Sequence, residues 1–294
     1  MSARAAVLAI GAVAAAALPG CGAPEKADPD TITQAARVTD DRGGVHLAFE
    51  AKLDIEGAPK VVTMRAEGDE DRRARTATYE VDMSEFTELD PEAAGSPDLW
   101  RGSMIRRGPV AWIRLGLLEN VFDQVGFERA RWLETDLGQP VDKSSELGRS
   151  LAELNEQDPG QILDYVHAAE ATERLGEETV AGVRAVRYRG RVVLDEVAAR
   201  LPPGERAAVQ ANSDRVKRAT GEDEVPVDVW IGADGLIRQV RLNYDFDRNP
   251  ETNQKLDAEL TATVHLSGFG RRVRARVPPR ESVVTVPELV QASE

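Results

Sequence analysis

The chain has 294 residues, 51 acidic against 37 basic, for a formal net charge of −14. That balance argues against a nucleic-acid binder, which needs a basic face for the phosphates, and 41% hydrophobic with 30% charged residues describes a globular chain rather than a disordered one. One cysteine excludes internal disulfides and multi-cysteine zinc or iron–sulfur centres, and three histidines far apart in sequence (His46, His167, His265) leave little for metal or triad chemistry.

At the N-terminus a basic start at Arg4 runs into an apolar stretch from Ala5 to Leu18. As a helix this stretch rises about 21 Å, short of the roughly 30 Å hydrocarbon layer, so residues 1–20 read as a signal peptide rather than a membrane span. The stretch ends Leu18-Pro19-Gly20-Cys21, which resembles a bacterial lipobox. Cys21 would then carry a diacylglycerol and become the first residue of the mature chain, its two acyl chains giving stable attachment to the cell membrane. The alternative is an ordinary signal peptide with an incidental cysteine. Residues 21–30 are small, polar and proline-containing, and read as the lipidated cysteine with a flexible tether. Residues 31–294 read as one domain.

The body begins with a short helix expected from about Pro29 to Thr39, capped by Asp28 or Asp30 and stopped at Gly43-Gly44. From Val45 to Ile55 apolar and polar residues alternate, the signature of a half-buried strand. The alternation returns at Val62, Met64 and Ala66, and at Ala77, Tyr79, Val81 and Met83. A hairpin pairs 102–107 with 110–115 about Gly108-Pro109. Two helices follow, one capped at Ser144 or Ser145 with Leu147, Leu151 and Leu154 on one side, the other opening Asp158-Pro159-Gly160-Gln161 with Ile162, Leu163 and Val166 buried. Next come a strand over 185–193 and helices over 195–201 and 204–220, joined through Pro202-Pro203. Three long strands close the body, around Val227–Ile231, Leu236–Asp247 and Leu256–Leu266, the first two turned at 232–235. A capping box at Thr285-Val286-Pro287-Glu288 starts a final short helix. One-sided alternation in strands this long predicts a large, curved antiparallel sheet with one wet face.

Motifs for chemistry are missing. The sequence holds no G-x-S-x-G, H-E-x-x-H, P-loop, G-x-G-x-x-G or C-x-x-C, and no carboxylate pair stands out among 51 acids. His46 and His265 fall on outward strand positions, and His167 near a helix end. No catalytic residue, metal ligand or cofactor is expected, so the chain reads as a non-enzyme. Two basic clusters remain, Arg187, Arg189 and Arg191 on one strand face, and Arg271, Arg272, Arg274 and Arg276 on the last strand. Each is either a solvated face paired with acids on a neighbouring strand or a contact for anionic head groups at a membrane surface. The apolar strand residues pose a similar choice between packed core and the wall of a cavity.

The stretch Asp158–Pro203, with its Asp-Pro helix opening, Gly-Glu-Glu-Thr-Val, Ala-Gly-Val, and Arg-x-Arg-x-Arg strand carrying Tyr188, resembles the actinobacterial LppX/LprG lipoprotein family. The later Val-Asp-Val-Trp-Ile-Gly-Ala-Asp-Gly-Leu-Ile-Arg-Gln-Val resembles that family's C-terminal hairpin. The resemblance implies an α+β, LolA/LolB-like fold, a strongly curved antiparallel half-barrel with helices covering its concave face. It also implies an extracytoplasmic protein, lipid-anchored to the outer face of the cell membrane, that binds an acylated lipid or glycolipid in an apolar cavity and helps carry it through the envelope, with an envelope transporter as partner. The expected lining is Leu47, Phe49, Val62, Met64, Tyr79, Val81, Met104, Trp112, Val229, Ile231, Val240, Leu242, Tyr244, Leu260 and Val264, with Arg187, Arg189, Arg271, Arg272 and Arg274 as head-group or membrane contacts. The competing expectation is an envelope protein of the same fold with a closed core that binds a protein partner.

Overall fold

A computed structural model describes residues 25–58, 60–88, 95–137, 162–201, 206–249 and 254–293. In chain order the elements are β1 (Glu25–Lys26), α1 (Thr31–Asp41), β2 (Gly44–Ile55), β3 (Val62–Asp71), β4 (Thr76–Asp82), β5 (Arg101–Arg107), β6 (Val110–Leu115), α2 (Gly116–Gln124) and β7 (Trp132–Asp136). They continue with α3 (Ile162–His167), β8 (Ala169–Val180), β9 (Val183–Val193), α4 (Leu194–Ala199), α5 (Arg206–Thr220), β10 (Glu224–Gly232), β11 (Ile237–Arg248), β12 (Lys255–Arg271), β13 (Val283–Thr285) and α6 (Val286–Ser293). Among the described residues all strands lie in one open sheet, ordered β1-β8-β9-β10-β11-β12-β2-β3-β4-β5-β6-β7-β13. Neighbours run antiparallel throughout, except β13, which lies parallel to β7.

The expected α+β architecture is what the chain adopts, a curved, unclosed, mostly antiparallel sheet with helices on one face. Bulges put bends into the long strands. The register shifts at Ala171/Glu173 and Arg174/Gly176 in β8, at Trp230/Ile231 in β10, at Phe246/Arg248 in β11 and at Ser267/Arg271 in β12, and each extra residue increases local twist and bends the strand carrying it.

The inner face follows from the alternation. Leu266, Leu47, Gly68, Tyr79, Met104, Ile113 and Leu133 stand in register from β12 to β7 and point to the same side. On the other wing, Val192, Val227, Val229, Val240 and Leu242 share that side and meet Ile32 of α1, Leu163 and Val166 of α3, Leu194 and Val197 of α4, and Val209 of α5 in one core. Gly190 lets α1 approach, since a Cβ there would lie 2.5 Å from the Glu170 carbonyl oxygen and 2.8 Å from Ile32 Cδ1. The Thr39 hydroxyl of α1 accepts from the Ile237 amide at 3.0 Å, pinning the helix to β11.

The hairpin at Gly108-Pro109 and the capping box are as expected. Thr285 N donates to Glu288 Oε2 at 2.8 Å, and Glu288 N donates to Thr285 Oγ1 at 3.4 Å. Elsewhere the structure revises the expectations. Helix α1 begins at Thr31 with no side-chain cap from Asp30, while Asp28 Oδ1 accepts instead from Asp30 N at 3.0 Å. The last long strand ends at Arg271, so Arg272, Arg274 and Arg276 lie beyond it. Residues 25–30 are not a tether but part of the fold, joined to the edge of β8. The helix expected after Ser144, the opening of the next at Asp158, Pro202-Pro203 and Cys21 fall outside the described residues; Ile162, Leu163 and Val166 form α3 and are buried.

Candidate functional site

All the expected lining residues except Trp112 face the helix side of the sheet. Trp112 is a correction. The two-residue turn after Arg107 pairs Met104 with Ile113 and Ile105 with Trp112, so Trp112 points to the opposite face, where its indole N–H donates to Glu134 Oε2 at 2.9 Å. That register was legible in the sequence, but Val110-Ala111-Trp112-Ile113 is apolar at both parities, so alternation alone did not decide its face.

The remaining positions divide into two groups. Leu47, Val62, Tyr79, Val229, Val240, Leu242 and Val264 are at most 2% exposed; Met104, Ile231 and Tyr244 are buried at the margin. They are packed core. Phe49, Met64, Val81 and Leu260 are half-buried, each packed against that core on one side. Register makes these a continuous band, with Phe49 beside Val81 across Ala66, Met64 beside Ala51, and Leu260 beside Leu53. Leu53, Ile55 and Phe246 extend the band in the same half-buried state, and the Phe246 ring stacks on Tyr244 at 6.0 Å between centroids. Burial raises the Tyr244 hydroxyl well above its ordinary pKa, and pushes Tyr165 up to about 12 despite the hydrogen bond that its hydroxyl accepts from Asn212 Nδ2 at 2.9 Å.

At the other end of the inner face lies a charged cluster that the sequence reading did not single out. Glu70, with no exposed surface, accepts from Arg106 Nη2 at 2.7 Å and from the Tyr79 hydroxyl at 2.7 Å. Arg72 bonds to Asp164 of α3 and lies 3.5 Å from Asp40 of α1, which also meets His167 Nε2 at 2.9 Å. Burial opposes the Arg72 charge, but Asp164, Glu70 and Asp40 outweigh it and raise its pKa. The signal was present in the sequence. Glu70 continues the inward parity of Val62, Met64, Ala66 and Gly68, and Arg106 that of Met104, putting opposite charges on the buried side of nearby strands.

On the outer face Arg187 and Arg189 are paired rather than available. Arg187 Nη2 lies 2.5 Å and Arg189 Nε 3.2 Å from the carboxylate of Asp228, whose side chain is 7% exposed. Arg187 and Arg241 sandwich the buried Trp230 ring at 5.0 and 5.3 Å, while its N–H donates to Glu178 Oε2 at 2.7 Å. Arg271 bonds to Asp69, and His46 bridges Asp69 and Glu67 at 2.9 and 3.0 Å. Arg272 and Arg274 are exposed and make no ion pair among the described residues. A groove of about 630 Å³ crosses this face, its row Glu50, Arg65, Asp82 and Arg101 alternating in sign across β2–β5. Burial and the Arg241 charge lower the pKa of His265 at its rim. Among the described residues no cluster of three or more His, Cys, Asp or Glu could hold a metal ion. Nor is any helix among them long and apolar enough to cross a membrane.

No family model matches the chain, and no curated protein matches it. Solved structures do. The chain is similar to the lipoprotein LppX of Mycobacterium tuberculosis, at 12% identity over 85% of this chain and 100% of that one, with a TM-score of 0.42. It is similar to LprF of Mycobacterium bovis, at 12% identity over 86% and 99%, with a TM-score of 0.43. It is also similar to a LolA superfamily protein of Nitrosomonas europaea, at 7% identity over 86% and 96%, with a TM-score of 0.29. LppX is one of the lipoproteins that the sequence resembles.

Proposed function

We propose that this chain is an extracytoplasmic lipoprotein, anchored through a diacylglycerol on Cys21, that binds the acyl chains of a lipid or glycolipid and carries it in the cell envelope. The observation that carries this reading is the half-buried band of Phe49, Met64, Val81, Leu260, Leu53, Ile55 and Phe246, continuous with the core yet partly open to solvent. A contiguous apolar surface on the concave side of a sheet suits a hydrocarbon chain. Each buried methylene is worth about 0.8 kcal/mol, so roughly ten of them contribute about 8 kcal/mol before the costs of association. On this reading the work is burial rather than bond chemistry, and among the described residues the charged groups of the inner face, Glu70, Arg106, Arg72 and Asp164, pair with one another.

The test is native mass spectrometry with organic extraction on protein made without its signal peptide in a related bacterial host. Reproducible co-purified species with long acyl chains support the reading and identify the lipid class. A bare protein mass, unchanged when lipid is offered, refutes it and favours a closed core that docks a protein partner.

A further inference from the structure

The first described residues are bonded to the edge of the sheet. Glu25 pairs with Arg174 and Lys26 with Glu173, Ala27 N donates to the Thr172 carbonyl at 3.2 Å, and Ala171 N donates to the Pro29 carbonyl at 3.0 Å. Ala27 is buried, and Asp30 leads directly into α1. From Glu25 onward the chain is therefore stitched to the outer edge of β8.

Cys21 lies four residues before that attachment. Whatever path residues 22–24 take, four Cα–Cα steps of 3.8 Å span at most about 15 Å. A domain of this size has a radius of gyration of about 18 Å, and thirteen strands at about 4.8 Å spread its sheet over roughly 58 Å of arc. The link is shorter than the body that it holds.

We infer that the β1–β8 edge is a membrane-contact surface, held against the phospholipid head groups of the bilayer that anchors Cys21. This rests on the lipid anchor at Cys21 proposed above. The chemistry of the edge agrees with it. On a chain of net charge −14, the strands at this edge come close to neutral: across β1, β8 and β9 the cations Lys26, Arg174, Arg184, Arg187, Arg189 and Arg191 stand against the carboxylates Glu25, Glu170, Glu173, Glu177 and Glu178, with Asp228 and Glu224 of β10 paired to the arginines of β9. A near-neutral strip can lie against anionic head groups without the repulsion that the net charge would impose elsewhere. What holds it there is the short covalent link, not a basic patch.

The experiment uses the full chain, processed and lipidated in a bacterial host. Because Cys21 is the one native cysteine, a cysteine introduced elsewhere labels uniquely. A fluorophore at Thr179→Cys, on β8, is compared with one at Arg129→Cys, just before β7, in phosphatidylcholine–phosphatidylglycerol vesicles carrying a head-group quencher. The expected result is at least about twofold stronger quenching at 179. Twenty Gly/Ser residues inserted after Pro24, with a mean reach of about 25 Å, should erase that difference. Equal quenching at both sites, or a spacer without effect, overturns the inference while leaving the anchor intact. N-terminal peptide mass spectrometry reads the anchor separately. A Cys21 without diacylglycerol overturns both the anchored reading and this one, whereas lipid bound by such a protein would leave only the carrier reading standing.

Discussion

Leu242 and Leu260 lie on neighbouring strands and face the same side, yet the structure gives them opposite roles. Leu242 is 1% exposed, in register with Val227 and Ala262 within the packed core. Replacing it with aspartate loses the roughly 2–3 kcal/mol of a fully buried leucine and leaves a carboxylate without a partner, at a cost of several kcal/mol more. The sum matches much of the total stability of an ordinary domain, about 5–15 kcal/mol, so Leu242→Asp should unfold. Leu260 is half-buried in the open band, so Leu260→Asp loses only about 1 kcal/mol of burial and its carboxylate stays hydrated. That variant should fold, but it presents a charge where the acyl chain would lie, and lipid affinity should fall at least about tenfold, the equivalent of 1.4 kcal/mol. Urea denaturation reads the first effect and displacement of a fluorescent fatty acid the second. Lipid affinity within threefold of the parent in folded Leu260→Asp would refute the binding band. A normal denaturation midpoint for Leu242→Asp would refute the packed assignment of its row.

Glu70→Gln keeps the shape of the buried cluster but removes the carboxylate that faces the Arg106 charge, which should cost about 3–5 kcal/mol, or roughly 10 °C in Tm, with part recovered by adding Arg106→Met. Hydrogen bonds from Arg65, then from Thr63, hold the Glu85 carboxyl below the usual carboxylate range. A carboxyl depressed in the folded state stabilises fully above its unfolded pKa and loses that contribution as pH falls through the folded one. Unfolding scans between pH 5 and about 3 should therefore show a shallower stability loss in Glu85→Gln than in the parent, and identical slopes would count against the pair. Thr285→Ala removes the cap of α6 and should cost about 1 kcal/mol. Faster amide exchange confined to 286–293 is the expected readout, and unchanged exchange there would show the cap to be idle.

The sequence carried what depends on period two. Alternation from Val45 to Ile55, Ala77 to Met83 and Leu256 to Leu266 assigned the inner face because the outer one is wet, and the 108–109 turn fixed a register. Three kinds of feature escaped. The five residues of β7 and the three of β13 are too short to show a period, and their parallel pairing is decided only when distant segments meet. Strand β1 looked like linker because its composition is polar, whereas backbone bonds to β8 do not depend on side chains. The division of the lining residues into packed and open groups was also invisible. Burial at Leu242 against Leu260 depends on which helices lie above, and both residues occupy equivalent places in their strands.

The two ends of the inner face differ in kind, and the difference bears on how a ligand gets in. At one end Glu70, Arg106, Arg72, Asp164 and Asp40 join β3, the turn after it and β5 to α1 and α3. A buried ionic cluster contributes little net stability compared with apolar packing, but removing one member is costly. Its effect is therefore positional: it ties two covering helices to the sheet at a defined place. At the opposite end the half-buried band offers apolar side chains with no charge among them. A hydrocarbon chain is repelled from the first end by the cost of stripping the ions of their partners and drawn to the second by the burial it gains. On the proposed lipid-binding function the way in would be the Leu53–Ile55–Phe246 end, and acyl chains would point from there toward the Leu47 row, leaving a polar head group at the rim.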